Sequence, residues 1–333
     1  MTGHSILSVR ALGRAALACA ILLGFGRAVS AQNIFSDMAL SLEATTGFLT
    51  GGANEFVYDS GYKMSELDWA SRPLAYWGLA VNLDSPSGFY ARLALKAGFS
   101  GKTGYMTDSD WQNWDGVKTN FSSSDSYTDQ AFMLNFSTGY DFQVSDSLTL
   151  GPFFELGYLN FEWSARNGYE QYPPEMYPST DSSGNNLYAP YTPISANTPI
   201  VYVTGIGIVY QQSCFYPGLG VHAVFRPADR WRFSASFAIS PAASMTTTDN
   251  HVARSLVFSS SMSGGLVLEP RVTAEYQLSR AVKLGLELTY LSIQNLTGDL
   301  TQTDGNGTSY TDPSGSGASF EALEAGIDLA VRL

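Results

Sequence analysis

The sequence predicts an all-β protein, a ten-stranded antiparallel transmembrane β-barrel with long extracellular loops. Three observations carry this: alternating apolar residues along nearly the whole chain, connections that alternate between short and long, and a leader with the marks of export. Alternation is clearest in Trp231–Ile239, where Trp231, Phe233, Ala235, Phe237 and Ile239 are interleaved with Arg232, Ser234, Ser236 and Ala238. Val282, Leu284, Leu286, Leu288 and Tyr290 alternate with Lys283, Gly285, Glu287 and Thr289. Phe89–Ala97, Phe132–Tyr140 and the final Ala325–Leu333 repeat the pattern. A soluble sandwich also alternates. A membrane barrel is favoured here because one face carries small or polar residues, the other carries large apolar ones, and aromatic residues gather near the segment ends.

In chain order, residues 1–31 read as a secretory signal peptide. Arg10 and Arg14 supply positive charge, Leu17–Phe25 is an apolar run too short to span a bilayer, and Ala28–Ala31 ends in a small-x-small cleavage pattern. Residues 32–333 read as a single barrel domain, with strands expected over 38–58, 62–84, 88–103, 128–145, 147–169, 198–225, 229–248, 254–279, 281–298 and 317–333. The connections Asp84–Gly88, Val144–Ser147, Arg226–Arg230 and Leu278–Ala281 are tight turns. The stretches 104–127, 170–197 and 299–316 are long and rich in Ser, Gly, Asp, Pro or Asn. Short turns on one side and long loops on the other are the habit of outer-membrane barrels, with the long loops outside the cell. Several strands exceed the roughly 9–11 residues that cross a bilayer, so the barrel should project beyond it. The chain finishes on Leu333, whereas bacterial barrels usually finish on an aromatic residue.

Arg10, Arg14 and Arg27 are three of the 18 basic residues, and the leader holds none of the 30 acidic ones, which leaves a formal charge of about −15 beyond it. That excess argues against nucleic acid and favours cationic partners. With Cys19 in the leader, Cys214 is the sole cysteine of the remaining chain, so no internal disulfide is expected.

Two short stretches carry candidate chemistry. Asp108 and Asp110 in Met106–Trp111, and Asp249 and His251 in Asp249–His251, each place two ionisable groups at i and i+2, one face of a strand. Both fall toward the predicted outer end, as does Glu55. A histidine beside a carboxylate can take a proton from water, and two close carboxylates can share one proton. One histidine among scattered aspartates does not form a zinc constellation, so no metal is expected. Spacing alone leaves a calcium site or a solvated loop open as well.

The combination resembles the omptins, the ten-stranded outer-membrane proteases of Gram-negative bacteria. Gly61–Trp69, Met106–Trp111, Ser164–Gly168 and Asp249–His251 are similar in order and spacing to the family's motifs, across essentially the whole chain beyond the leader. The resemblance implies an endopeptidase acting on extracellular peptides and proteins, monomeric, embedded in outer-membrane lipid with its active site facing out. It implies Asp249 and His251 as a water-polarising dyad and Asp108 and Asp110 as the opposing pair. Glu55 would bind a basic side chain before the scissile bond, and Met106 would line that pocket. It also implies lipopolysaccharide as a lipid requirement, although 158–166 departs from the family pattern for binding it. The family's second pocket carboxylate lies two residues before the dyad aspartate, where this chain has Thr247, so the basic preference should be loosened. A non-enzymatic barrel acting as an adhesin or structural protein is the alternative that these departures leave open.

Overall fold

The computed structural model describes residues 38–173, 179–180, 186–187 and 191–333; the expected signal segment and part of the expected loop 170–197 lie outside the described residues. The strands, in chain order, are β1 (Ala39–Asp59), β2 (Tyr62–Asp84), β3 (Phe89–Gly98), β4 (Gly101–Asp110), β5 (Asn120–Tyr140), β6 (Phe142–Ser145), β7 (Leu148–Gln171), β8 (Ser179–Thr180), β9 (Asn186–Leu187), β10 (Val201–Ala228), β11 (Trp231–Ser240), β12 (Ala243–His251), β13 (Leu256–Gly264), β14 (Leu266–Gln277), β15 (Val282–Thr303) and β16 (Ser309–Arg332). A one-turn 3-10 helix, Val252–Arg254, follows β12.

All but the β8–β9 pair join one antiparallel ring through ten staves. Four staves are broken into two segments: β3 with β4, β5 with β6, β11 with β12, and β13 with β14. The last break falls at Gly264 and Gly265, both at positive φ, where a side chain on Gly265 would come 2.5 Å from the Gln294 carbonyl oxygen. The ring closes where β1 pairs with β16, from Ser41 opposite Arg332 to Val57 opposite Ser316. No edge is left open, as a bilayer requires.

The alternation resolves into an outward apolar face and an inward polar one. Leu284, Leu286 and Leu288 on β15 are exposed, while Glu287 and Thr289, which alternate with them, are buried. Trp231, Phe233, Phe237 and Ile239 on β11 are likewise exposed. A water-soluble core would reverse this, so the exposed apolar band is the lipid-facing surface. Inside, Lys96 pairs with Glu287 at 2.8 Å and Glu324 at 2.6 Å, Arg92 with Glu43 at 2.9 Å, and Arg271 with Glu269 at 2.5 Å. Whereas a cavity of about 1110 Å³ lined by Glu43, Arg92, Arg271 and Glu287 opens beyond them toward the short turns, the space left around Lys96, Glu269 and Glu324 is about 30 Å³, room for only one or two waters. The lumen at this level is therefore filled rather than porous.

Two expected loops are shorter in the structure. The expected loop 104–127 narrows to 111–119, because β4 keeps pairing with β2 and β5 as far as Asp110. The expected loop 299–316 narrows to 304–308, because β15 and β16 pair up to Thr303 opposite Ser309. Their Ser, Thr and Gly content reads as loop, yet in these extensions polar residues on both faces suit strands that rise into water beyond the bilayer.

Candidate active site

Above the ion pairs, aromatic side chains close the barrel. Trp69 stacks on Tyr210 at 5.5 Å and lies 6.4 Å from Trp163, and Phe161 bridges Trp163 and Phe320. All five are fully buried. They form a floor, and the ionisable residues singled out in the sequence stand on it.

Met106, Asp108 and Asp110 alternate along β4, so all three share its inward face. Met106 lies opposite Trp69 and is buried in the floor; Asp108 lies opposite Leu67, and Asp110 opposite Ser65. The two aspartates are thus strand residues, not loop residues as expected, and the strand pairing that carries β4 past the bilayer fixes their direction. The Ser65 hydroxyl donates to Asp108 Oδ1 at 3.2 Å. Across the barrel, Asp249 and His251 end β12, with Asp249 opposite Tyr210 and His251 opposite Ile208 on β10. Asp249 is 3% exposed, and its Oδ2 lies 2.7 Å from His251 Nε2. The imidazole edge packs against the Phe258 ring at 5.3 Å. Glu55, on β1, is 5% exposed and its Oε2 has no partner among the described residues.

Register gives the spacing. Glu55 lies opposite Leu67, which lies opposite Asp108, so Glu55 and Asp108 stand two strands apart, about 10 Å around the wall. The dyad stave lies four staves from each. A ring of ten therefore sets Asp249 and His251 opposite the other three. The three hairpins expected to meet at one end of the barrel do meet there.

The carboxyls feel one another. Burial and the neighbouring Asp110 push Asp108 up to about 8, with Asp249 adding to the rise and Ser65 opposing it. Burial also raises Asp110, against the pull of Ser65, Arg254, His251 and Lys118. Glu55 is pushed well above the carboxylate range by burial, then by Asp249 and Asp108. Such a site holds protons near neutrality, so one carboxyl can serve as an acid while another accepts.

Thr247 shares the inward face of β12 two residues below Asp249 and is buried opposite Gln212. It brings no charge to the wall facing Glu55. Several contacts escaped the reading of the sequence. Ser65 lies inside the motif Gly61–Trp69, yet only the register shows that it serves Asp108. Lys118 donates to Ser109 Oγ at 2.8 Å and lies 5.0 Å from the Phe121 ring centre, bringing a cation beside the pair. Arg254, three residues beyond His251, reaches the imidazole.

Comparison with known proteins agrees with this architecture. A family model described as the Omptin family matches residues 36–332. The plasminogen activator of Yersinia pestis is 26% identical over 322 residues, covering 92% of this chain and 91% of its own. The crystal structure of the outer membrane protease OmpT from Escherichia coli superposes with a TM-score of 0.77 at 19% identity, covering 92% of this chain and 99% of its own.

Proposed function

The chain belongs to the Omptin family, a family of Gram-negative outer-membrane β-barrels, and from that premise we propose that it is an endopeptidase hydrolysing peptide bonds outside the cell with water activated by Asp249 and His251. The observation that carries the reading is the 2.7 Å Asp249–His251 pair set across the barrel from two protonatable aspartates. The names of the relatives, a plasminogen activator and an outer membrane protease, point the same way.

In this mechanism a peptide lies across the mouth between the two walls. His251, oriented by Asp249, takes a proton from water while the water oxygen bonds to the scissile carbonyl carbon. The resulting imidazolium is stabilised by the Asp249 carboxylate. Asp108, protonated near neutrality, donates toward the developing oxyanion or the leaving nitrogen as the C–N bond breaks. Glu55 receives the side chain before the scissile bond, with Met106 beneath it. A basic side chain would meet the unpartnered Glu55 Oε2 and displace its proton. With Thr247 as the neighbour, that pocket holds a single carboxyl group and its preference for Arg or Lys is loosened.

The test is cleavage of a quenched peptide library by the refolded monomeric barrel, with and without lipopolysaccharide, beside His251→Ala and Asp108→Ala. Cleavage that disappears in both variants is expected. Equal cleavage by the variants would remove the assignment, and dependence on added lipid would settle the lipid requirement.

A further inference from the structure

The end of the barrel away from the proposed site holds a second concavity. A cavity of about 1110 Å³ opens among the short turns, and the Lys96 ion pairs close it inward, where only about 30 Å³ is left. It is a blind cup, a little above the roughly 300–1,000 Å³ of small-ligand pockets. In an outer-membrane barrel the short-turn end faces the periplasm. Glu55, Asp108, Asp110, Asp249 and His251 take no part in its wall.

Two observations point to a guest in this cup. The first is a set of polar atoms on its wall that no protein group meets. Glu155 is 2% exposed, and its Oε1 has no hydrogen-bond partner among the described residues. Thr149 Oγ1, Arg271 Nε and Asp328 Oδ1 are likewise buried and unmet. Buried polar groups left unpaired are costly, so a wall carrying four of them suits polar contents.

The second observation is how charge is sorted around the rim. Counted from β1, the short turns follow the second, fourth, sixth and eighth staves, and β16 ends the tenth. Asp84 and Asp146 stand in the first two turns. Arg226, Asp229 and Arg230 stand in the third, Arg280 in the fourth, and Arg332 ends β16. All seven line the cup and are exposed. The ion pairs of the cup engage other residues, Arg92 with Glu43, and Arg232 and Lys283 with Glu275, so these seven have no ion-pair partner among the described residues. One half of the rim is therefore anionic, and the facing half sets four arginines against one aspartate. Hydrogen bonds between turns hold the rim in place: the Arg226 N–H donates to the Ser147 carbonyl at 2.7 Å, and the Arg332 N–H to the Ala281 carbonyl at 2.8 Å. Little ordering of the backbone then opposes binding.

A lone anion would suit the arginine half and be repelled by the other. A guest with a charge of each sign at its two ends suits both. Ten staves about 4.8 Å apart make a ring about 15 Å wide before tilt. About four or five extended residues span that width, whereas a single zwitterionic head group does not. We propose that the cup is a periplasmic binding site for short peptides with free termini. The carboxylate end lies on Arg226, Arg230, Arg280 and Arg332, and the ammonium end on Asp84 and Asp146. The site shares no residue with the hydrolysis proposed at the outer end and stands apart from it.

The experiment is calorimetric titration of the refolded barrel with a tetrapeptide of D-alanine, free at both ends. Its methyl side chains leave the end charges as its only ones, and its D residues keep a peptidase from consuming it. The free peptide should bind, and acetylation of one end or amidation of the other should each weaken binding about tenfold, the scale of one lost charged contact. Arg280→Gln with Arg332→Gln should weaken the free peptide and erase the effect of amidation. Asp84→Asn with Asp146→Asn should erase the effect of acetylation. Parent heat resistance on gels should show that these rim variants are folded. As a second readout in the parent itself, the chain beyond the leader has two histidines, His222 on the cup wall and His251 in the outer cleft. With ¹⁵N-histidine, the peptide should shift the His222 ring and leave His251 unmoved. Absence of binding overturns the proposal. Equal binding of the acetylated peptide overturns it in favour of a simple anion site. Parent-like binding by the folded rim variants, or a shift of His251 in place of His222, places the peptide elsewhere and also overturns it.

Discussion

At the scale of single residues, the site places function against stability. Asp108 is nearly buried and its carboxyl is pushed up to about 8 by burial and by Asp110. A carboxyl whose pKa is raised on folding favours the folded state in its protonated form, so the parent loses stability as pH climbs from the ordinary carboxylate range toward 8. Asp108→Asn cannot ionise and escapes that loss. It should abolish cleavage at every pH, yet tolerate heating better than the parent at pH 9 and about equally at pH 5, as read from the temperature at which the folded band disappears on gels. A larger advantage at pH 5 than at pH 9 would contradict the sign argued here. Thr247 makes the converse case. Thr247→Asp would place a second carboxylate opposite Glu55, and a charged hydrogen bond of about 1.5–3 kcal/mol is worth roughly ten- to a hundredfold. The ratio of kcat/KM for substrates with Arg before the scissile bond, over matched substrates with Ala there, should rise by about that factor if the pocket is the one proposed.

At the scale of elements, a strand period of two does most of the work. Asp108 with Asp110, and Asp249 with His251, point inward because their staves keep register beyond the bilayer. That face was legible in the sequence, since i and i+2 share a face in any strand. The length of β4 was not, because Met106–Asp110 is polar and sits beside a Ser- and Gly-rich stretch that reads as a loop. Ser65, Lys118 and Arg254 were hidden for a related reason: each meets the site through pairing or a turn that no local pattern encodes. The floor beneath, Trp69, Trp163 and Tyr210, joins β2, β7 and β10 across the lumen. Trp69→Ala removes its centre, and a buried aromatic truncated this way costs about 3–5 kcal/mol. The lipid-facing band does not include Trp69, so the variant should still insert and fold. It should melt earlier and lose most cleavage, because Met106 and the base of β4 would settle into the vacated space. Parent-like kinetics in a folded Trp69→Ala barrel would show that the floor does not position the aspartates.

At the scale of the whole molecule, the barrel divides into a lipid-embedded half that holds the fold and a projecting half that carries the proposed site. The sequence showed the ten-stave ring through alternation and turn spacing, but not what fills it. Inward-facing Arg92, Lys96, Glu269, Arg271, Glu287 and Glu324 are scattered over four strands, and only ring closure brings them together. Lys96 is central, reaching Glu287 at 2.8 Å and Glu324 at 2.6 Å. Removing one partner of a buried pair leaves an uncompensated charge and costs about 3–5 kcal/mol, far more than an exposed pair would. Lys96→Met keeps the length of the side chain and deletes the charge, leaving Glu287 and Glu324 as like-charged neighbours on the paired strands β15 and β16. That barrel should lose heat resistance by an amount comparable to Trp69→Ala, yet retain catalysis at low temperature, because the aromatic floor separates the network from the cleft. Lys96→Met combined with Glu324→Gln removes one charge of each sign and should recover much of the loss. If the double variant is no more stable than the single one, the network is not what fills and braces the lumen. If the single variant instead melts like the parent and conducts ions in planar bilayers, the residual space of about 30 Å³ widens freely and the barrel is not plugged at this level.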